Sequence, residues 1–220
     1  MRRTASFLLA GLLAAAAAFA QEIVPPEIES LPAEVGQALY VYPEYPGTFA
    51  ASLDAWERKD KGWEIIHSVP AVIGRNGFAP AGEKREGDGR TPSGTFALLR
   101  AFGYEAEVET GLDYVQATEK DFWIDAPDSP MYNQWVSGLP PQESHEVLRR
   151  ADDMYKYAAV IEYNTAPVVP GAGSAIFLHV WRDVDKPTAG CVAVAEPEMI
   201  ELLRWLDAAR QPVIVLGGAP

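Results

Sequence analysis

The apolar positions of this chain fall mostly in short runs rather than at helical spacing. Aromatic and β-branched runs separated by turn residues predict strands at 38–42, 48–57, 63–73, 95–99, 157–163, 175–181 and 213–216, with a weaker candidate at 122–125. Residues 74–94 carry too many glycines and prolines for a helix and too many charges for a buried strand. They predict a long loop, and loops of this length are often functional. The pattern as a whole indicates a mainly β fold.

Helical periodicity is confined to two places. A helix is predicted to begin at Glu196, because Pro197 then lies in the first turn, where its missing N–H is harmless. Its buried face is predicted from apolar residues at helical spacing and two more at the flanks, which are Ile200, Leu203 and Leu206, with Leu202 and Trp205. A shorter helix is predicted from Ser144 to about Asp152.

The N-terminal residues 1–20 have the features of a secretory signal peptide. Arg2 and Arg3 precede an apolar run at 7–18, and Ala18-Phe19-Ala20 matches the small-x-small cleavage pattern. The run is shorter than the roughly 20 residues that span a bilayer, so we expect cleavage after Ala20 and no stable membrane anchor. An exported protein of the periplasm is therefore predicted. It would have a flexible, proline-rich leader at 21–37 and a single domain at 38–217.

The chain is strongly acidic, with a formal net charge of −13. It has no basic stripe to neutralise phosphates, so nucleic acid is not expected as a partner. Solubility alone can account for the acidity. A more specific interpretation is attraction for substrates that carry free amines.

Cys191 is the single cysteine among the 220 residues. In an oxidising compartment cysteines usually pair as disulfides, and a lone cysteine cannot do so within its own chain. It is a reactive thiol, the site of an intermolecular bond, or a small buried apolar residue, and composition alone does not choose among these.

The residues before Cys191 favour the reactive interpretation. If 175–181 is a strand, Ile176, Leu178 and Val180 point into the core, while His179 lies on the other face among aromatic residues. The short loop at 182–190 can then return Cys191 to hydrogen-bonding distance of His179, as an activated nucleophile requires. Backbone N–H groups beside the cysteine could stabilise an oxyanion, which predicts acyl transfer through a thioester. The alternative is a structural histidine.

A metal site would be a rival use of these residues. The three histidines, His67, His145 and His179, lie far apart in the sequence, and none has a partner at ligand spacing. We therefore expect neither a metal nor another cofactor.

Two blocks of the sequence resemble the L,D-transpeptidase catalytic domain of bacterial cell-wall enzymes. The first is G-R-N-G at 74–77 with K-R-E-G-D-G-R-T-P-S-G-T-F at 84–96, and the second is I-F-L-H at 176–179 with T-A-G-C at 188–191. The resemblance covers residues 38–217. It implies a β-sandwich or barrel-like single domain with a few short helices.

The resemblance also implies a reaction. The family's cysteine attacks the carbonyl on the L-centre of a diamino acid in a peptidoglycan stem peptide and expels the next residue. An amine of a second stem then resolves the thioester, without ATP or metal. Carried over, Cys191 is the nucleophile, His179 is the base, and Gly190 and Cys191 supply oxyanion N–H groups. The candidates for substrate contact are Trp181, Arg182, Thr188 and Arg90.

The chain departs from the commonest family pattern in this second block. Ala189 replaces the histidine of Ser/Thr-His-Gly-Cys, and Ala193 stands where Arg or Asn is usual. This indicates a divergent branch and leaves open which stem peptides are donor and acceptor. A transpeptidase is predicted, and the alternatives are a peptide hydrolase on the same fold and a wall-binding module without activity.

Overall fold

The computed structural model describes residues 23–218, so the predicted signal peptide and the first two residues of the predicted leader lie outside the described part. Between residues 23 and 218 the strands are β1 (Gln37–Pro43), β2 (Ala50–Lys59), β3 (Gly62–Val72), β4 (Gly94–Ala97), β5 (Arg100–Gly103), β6 (Asp113–Gln116), β7 (Asp121–Ile124), β8 (Trp135–Ser137), β9 (His145–Val147), β10 (Tyr157–Val160), β11 (Phe177–Val180), β12 (Val192–Val194) and β13 (Val213–Leu216). The helices are α1 (Pro26–Glu29) and α2 (Glu196–Trp205), and a 3-10 turn follows at Ala208–Arg210. None of these helices is long and apolar enough to cross a membrane.

Two sheets make up the domain. The larger has the strand order β4-β13-β1-β2-β3-β12-β11-β10-β5-β6, and the smaller has the order β8-β7-β9. Most neighbours are antiparallel, but β1 with β13, β11 with β12, and β5 with β6 are parallel. The prediction of a mainly β domain with few short helices is confirmed.

Both faces of β11 are buried, each against a different set of side chains. Ile176, Leu178 and Val180 lie in the aliphatic core, as the alternation predicts. Phe177 lies on the other face with Cys191, in a cluster rich in aromatic rings. The small sheet covers this second cluster, because Trp123 of β7 packs edge-to-face on Phe177, with ring centroids 5.1 Å apart.

Helix α2 closes the aliphatic core, and its start at Glu196 agrees with the prediction. Its predicted buried face is partly wrong. The buried residues are Met199, Leu202, Leu203 and Leu206, whereas Ile200 and Trp205 are half-buried. The spacing of these buried residues, i, i+3, i+4 and i+7, is typical of the apolar face of a helix in a globular protein. The observed face differs from the predicted one because it includes Met199 in place of Ile200.

The segment that precedes β1, which was predicted as a flexible leader, packs against the domain. Ile28 of α1 is fully buried, and Leu31 and Val35 join it in a cluster with Trp56 of β2. The Arg58 guanidinium donates to the carbonyls of Leu31 and Val35. Apolar anchors spaced along a proline-rich segment therefore fix its backbone without a long helix.

The helix predicted from Ser144 to Asp152 is wrong. Residues 145–147 form β9, which pairs with β7 so that Glu146 lies opposite Trp123. A strand this short has too few alternating positions for its period to be read from the sequence, and pairing with β7 decides its conformation.

Candidate active site

A cleft of about 360 Å³ opens beside β11 and β12, and it is lined by both predicted catalytic residues, Cys191 and His179. Three of the four predicted substrate contacts also line it, namely Trp181, Arg182 and Thr188. The Arg90 side chain is exposed and does not line this cleft.

The register of β11 and β12 brings the cysteine and the histidine to one face. The strands run parallel, with Leu178 beside Val192 and His179 beside Ala193. Cys191 is therefore level with Phe177, and its side chain points to the same face as that of His179, two positions along the strands. The described residues contain no hydrogen bond between the thiol and the imidazole.

The Cys191 thiol is held by backbone groups of the neighbouring strand. Its S–H donates to the carbonyl of Ala175 at 3.3 Å, and Sγ accepts from the N–H of Phe177 at 3.4 Å. Burial raises the pKa of the Cys191 thiol to about 12, which the Phe177 N–H only partly offsets. At neutral pH the Cys191 side chain is therefore a protonated thiol.

The backbone fixes the tautomer of His179. Its Nδ1 lies 2.7 Å from the carbonyl of Val180, which can only accept, so Nδ1 carries the proton and the lone pair is on Nε2. Burial lowers the pKa of His179 to about 4, so the ring is neutral at pH 7. Tyr155 packs edge-to-face on the ring, with centroids 5.1 Å apart. A neutral imidazole with a fixed tautomer has the protonation state that a general base needs.

The two sequence blocks that carry the family resemblance meet at the carbonyl of Cys191. This oxygen accepts from the hydroxyls of Thr188 at 2.7 Å and Thr91 at 3.3 Å. Thr91 is fully buried and also accepts from the N–H of Gly74. Sequence reasoning missed Thr91, although it stands in the T-P-S-G-T-F motif that pointed to this loop.

Gly190 is required by a close approach of two backbone segments. A Cβ at this position would lie 2.9 Å from the carbonyl oxygen of Arg90. Arg90 thus contributes to the site through its backbone, in contrast to its predicted contact with substrate. The N–H of Gly190 donates to Oγ1 of Thr188 at 3.1 Å, so an oxyanion would have to replace this partner.

A charged cluster on the cleft wall was also missed by sequence reasoning. Arg150 binds both oxygens of Asp152 at 2.8 Å and donates to Glu146 at 3.2 Å. The Arg150 guanidinium lowers the pKa of Asp152 to about 2. The exposed Arg182 adds a longer contact of 3.3 Å to Asp152. The only signal in the sequence was the charge density at 146–153, which was assigned to a helix.

The glycine-rich loop at 74–94 supplies another part of the cleft. Lys84 is buried, and its ammonium donates to Asp88 at 2.8 Å. Glu86 accepts from the hydroxyls of Tyr132 and Ser174. These contacts tie the loop to the start of β11, beside the Ala175 carbonyl that holds the thiol.

These features define a class of protein, which is a β domain with a cysteine and a neutral histidine that share one cleft. The sequence from residue 54 to 215 matches the model of the YkuD family, described as the L,D-transpeptidase catalytic domain. The chain belongs to this family, as its resemblance indicated.

Other comparisons add little. A solved structure of Bdellovibrio bacteriovorus Bd1075 is similar, at 16% identity and a TM-score of 0.47, over 89% of this chain. The chain spans about half the length of that protein, 53% of which is covered. No curated protein sequence matches the chain.

Proposed function

We propose that this protein is a periplasmic peptidoglycan L,D-transpeptidase, which joins stem peptides through a thioester on Cys191. The observation that carries the proposal is the shared cleft face of Cys191 and His179, with the His179 proton held on Nδ1 by the Val180 carbonyl. Membership of the YkuD family supports acyl-transfer chemistry on peptidoglycan peptides.

The mechanism starts from a neutral pair. Because the pKa of Cys191 is about 12 and that of His179 about 4, a resting thiolate–imidazolium pair is strongly disfavoured. The thiol must leave the Ala175 carbonyl and give its proton to Nε2 of His179 as Sγ attacks the donor carbonyl. The C–N bond then breaks, and the expelled amine takes the proton from His179.

The second half of the reaction reverses these proton movements. The acceptor amine attacks the thioester and loses a proton to His179, and the proton returns to Sγ as the C–S bond breaks. Gly190 directly precedes Cys191 in the sequence, and its N–H can donate to the oxyanion if it leaves Oγ1 of Thr188. The cycle forms one amide for each amide broken.

The test is mass spectrometry of the intact protein after incubation with disaccharide tetrapeptides, followed by analysis of the products. We expect an acyl adduct on Cys191, none with Cys191→Ala, and new cross-linked dimers. An unmodified Cys191 would exclude acyl transfer and favour a wall-binding module. An adduct that yields only shortened peptides would identify the hydrolase alternative. Fractionation of cells that express the full chain tests the periplasmic location.

A further inference from the structure

The small sheet places two carboxylates on the wall of the cleft. Glu146 of β9 pairs with Trp123 of β7, and Asp125 lies two residues beyond Trp123, directly after β7 ends. Residues two apart on a strand share a face, so Asp125 and Glu146 project to the same side of this sheet. Both line the cleft that contains Cys191.

The Asp125 carboxylate has no partner of its own. No described residue donates a hydrogen bond to it, and its Oδ1 is buried. A buried acceptor without a donor is costly, more so when it is charged. Because Asp125 also lines the open cleft, a ligand that enters the cleft can supply a donor to this carboxylate.

The neighbouring Glu146 carries an electrostatic signal of the same kind. Burial raises the pKa of Glu146, the Arg150 guanidinium opposes this increase, and the negative charge of Asp125 adds to it. Arg150 gives two of its N–H groups to Asp152 and one to Glu146, and among the described residues it makes no hydrogen bond to Asp125. The pair of carboxylates, Asp125 and Glu146, therefore has one cationic partner rather than two.

We propose that Asp125 and Glu146 form the subsite for the side-chain ammonium group of the donor's diamino acid. This rests on the function proposed above and adds the residues that select the donor. A primary ammonium suits the site because its three N–H groups can serve both carboxylates at once. Within residues 23–218 there is no group of three metal-ligating side chains, so a metal ion is a poorer match.

The donor is a better source of this ammonium than the acceptor. The acceptor amine must lose its proton before it attacks the thioester, and two nearby carboxylates would stabilise the protonated form instead. The donor's side-chain amine takes no part in the reaction and can remain charged throughout. The subsite therefore selects the donor peptide by charge.

The first experiment measures binding without catalysis. Calorimetry on the Cys191→Ala protein compares a stem tetrapeptide whose side-chain amine is free with the same peptide acetylated there. We expect the free amine to bind about 10- to 100-fold more tightly, as for a charged hydrogen bond. Adding Asp125→Asn or Glu146→Gln, which preserve shape, should remove most of this ratio. Asp128→Asn, an exposed residue outside the cleft, should leave it unchanged.

Equal affinity for the two peptides, or no measurable binding of either, would overturn the subsite, as would a ratio that survives both substitutions. A second measurement, the rate of Cys191 acylation without any acceptor, separates the two sources of ammonium. Preference for the free amine in acylation supports the donor assignment, whereas preference only in the later step overturns it. If Cys191 never acylates but the binding ratio is present, the proposed reaction fails and the ammonium subsite stands.

Discussion

The two faces of β11 solve the same problem, burial of a strand, in different ways. Ile176, Leu178 and Val180 on one face lie in a core cluster whose buried members are all aliphatic. On the other face, burial of His179 beside Phe177 and Cys191 holds a titratable ring in its neutral form. One face stabilises the sheet, and the other uses that stability to keep the proposed base uncharged.

This difference explains why the fold and the reactivity can be perturbed separately. A substitution on the aliphatic face should act on the free energy of unfolding. A substitution on the cleft face should act on acylation, and on how stability depends on pH.

The largest expected effect is on acylation, from His179→Gln. Glutamine cannot accept the thiol proton, and the pKa of about 12 leaves almost no thiolate at neutral pH. Loss of a general base typically costs about 10²- to 10⁴-fold in rate. The measurement is the rate of adduct formation on Cys191, followed by mass spectrometry of the intact protein.

His67→Gln is the matched control, because it makes the same change outside the cleft. His67 lies on β3 and pairs with Glu198 of α2 at 2.6 Å. Its variant should acylate at the rate of the unmodified protein. A normal rate in His179→Gln would remove His179 from the mechanism.

The next effect is on stability, from Leu178→Ala on the aliphatic face. Leu178 is fully buried between β10 and β12, and truncation of such a leucine costs about 2 to 5 kcal/mol. Urea unfolding measures the change. At a temperature where the variant stays folded, the acylation rate should change less than tenfold. A variant of full stability, or one that is folded but inert, would contradict the separation of the two faces.

The same contrast separates what sequence could predict from what it could not. The alternation at 175–181 assigns each side chain of β11 to a face, because a strand has a period of two whichever neighbours it finds. The lone Cys191 and the preceding His179 could be paired because one short loop joins their strands. The family match confirms the predicted family, and the catalytic pairing of these two residues stays a prediction.

The cleft wall was beyond sequence reasoning for a physical reason. Strand β9 has only three residues, and its conformation depends on pairing with β7, which lies some twenty residues earlier. Glu146 was therefore assigned to a helix, and Asp125 had no assigned face. The role of Thr91 depends on a contact with residue 191, which local patterns cannot reveal.

The third prediction is a loss of stability in acid that depends on His179. The folded-state pKa of about 4 lies below the usual 6.5, so between these values the unfolded chain binds a proton that the folded protein does not. Stability is therefore greatest above about pH 6.5 and falls as the pH is lowered toward 4. The contribution of this one group is on the order of 3 kcal/mol.

Urea unfolding at pH 7.5 and at about pH 4 measures this difference. Other groups also contribute as the pH approaches 4, including Asp152, because its carboxyl has a pKa of about 2 in the folded protein and 3.8 in the unfolded chain. The comparison that isolates His179 is therefore the difference between the protein and His179→Gln, which has no proton to bind there. Parallel pH profiles for the two proteins would show that burial of the ring does not set its charge.

The smallest expected effect distinguishes the two threonines that bind the Cys191 carbonyl. Thr91→Val keeps the shape but leaves the buried N–H of Gly74 without an acceptor, which costs about 1 to 3 kcal/mol. Thr188→Val removes bonds of a half-buried hydroxyl that water can replace, so about 1 kcal/mol or less is expected. Thr188 lines the cleft and binds the Gly190 N–H, so its variant should change acylation more than Thr91→Val does. The reverse order in both urea unfolding and acylation would show that Thr188, rather than Thr91, is the structural member of the pair.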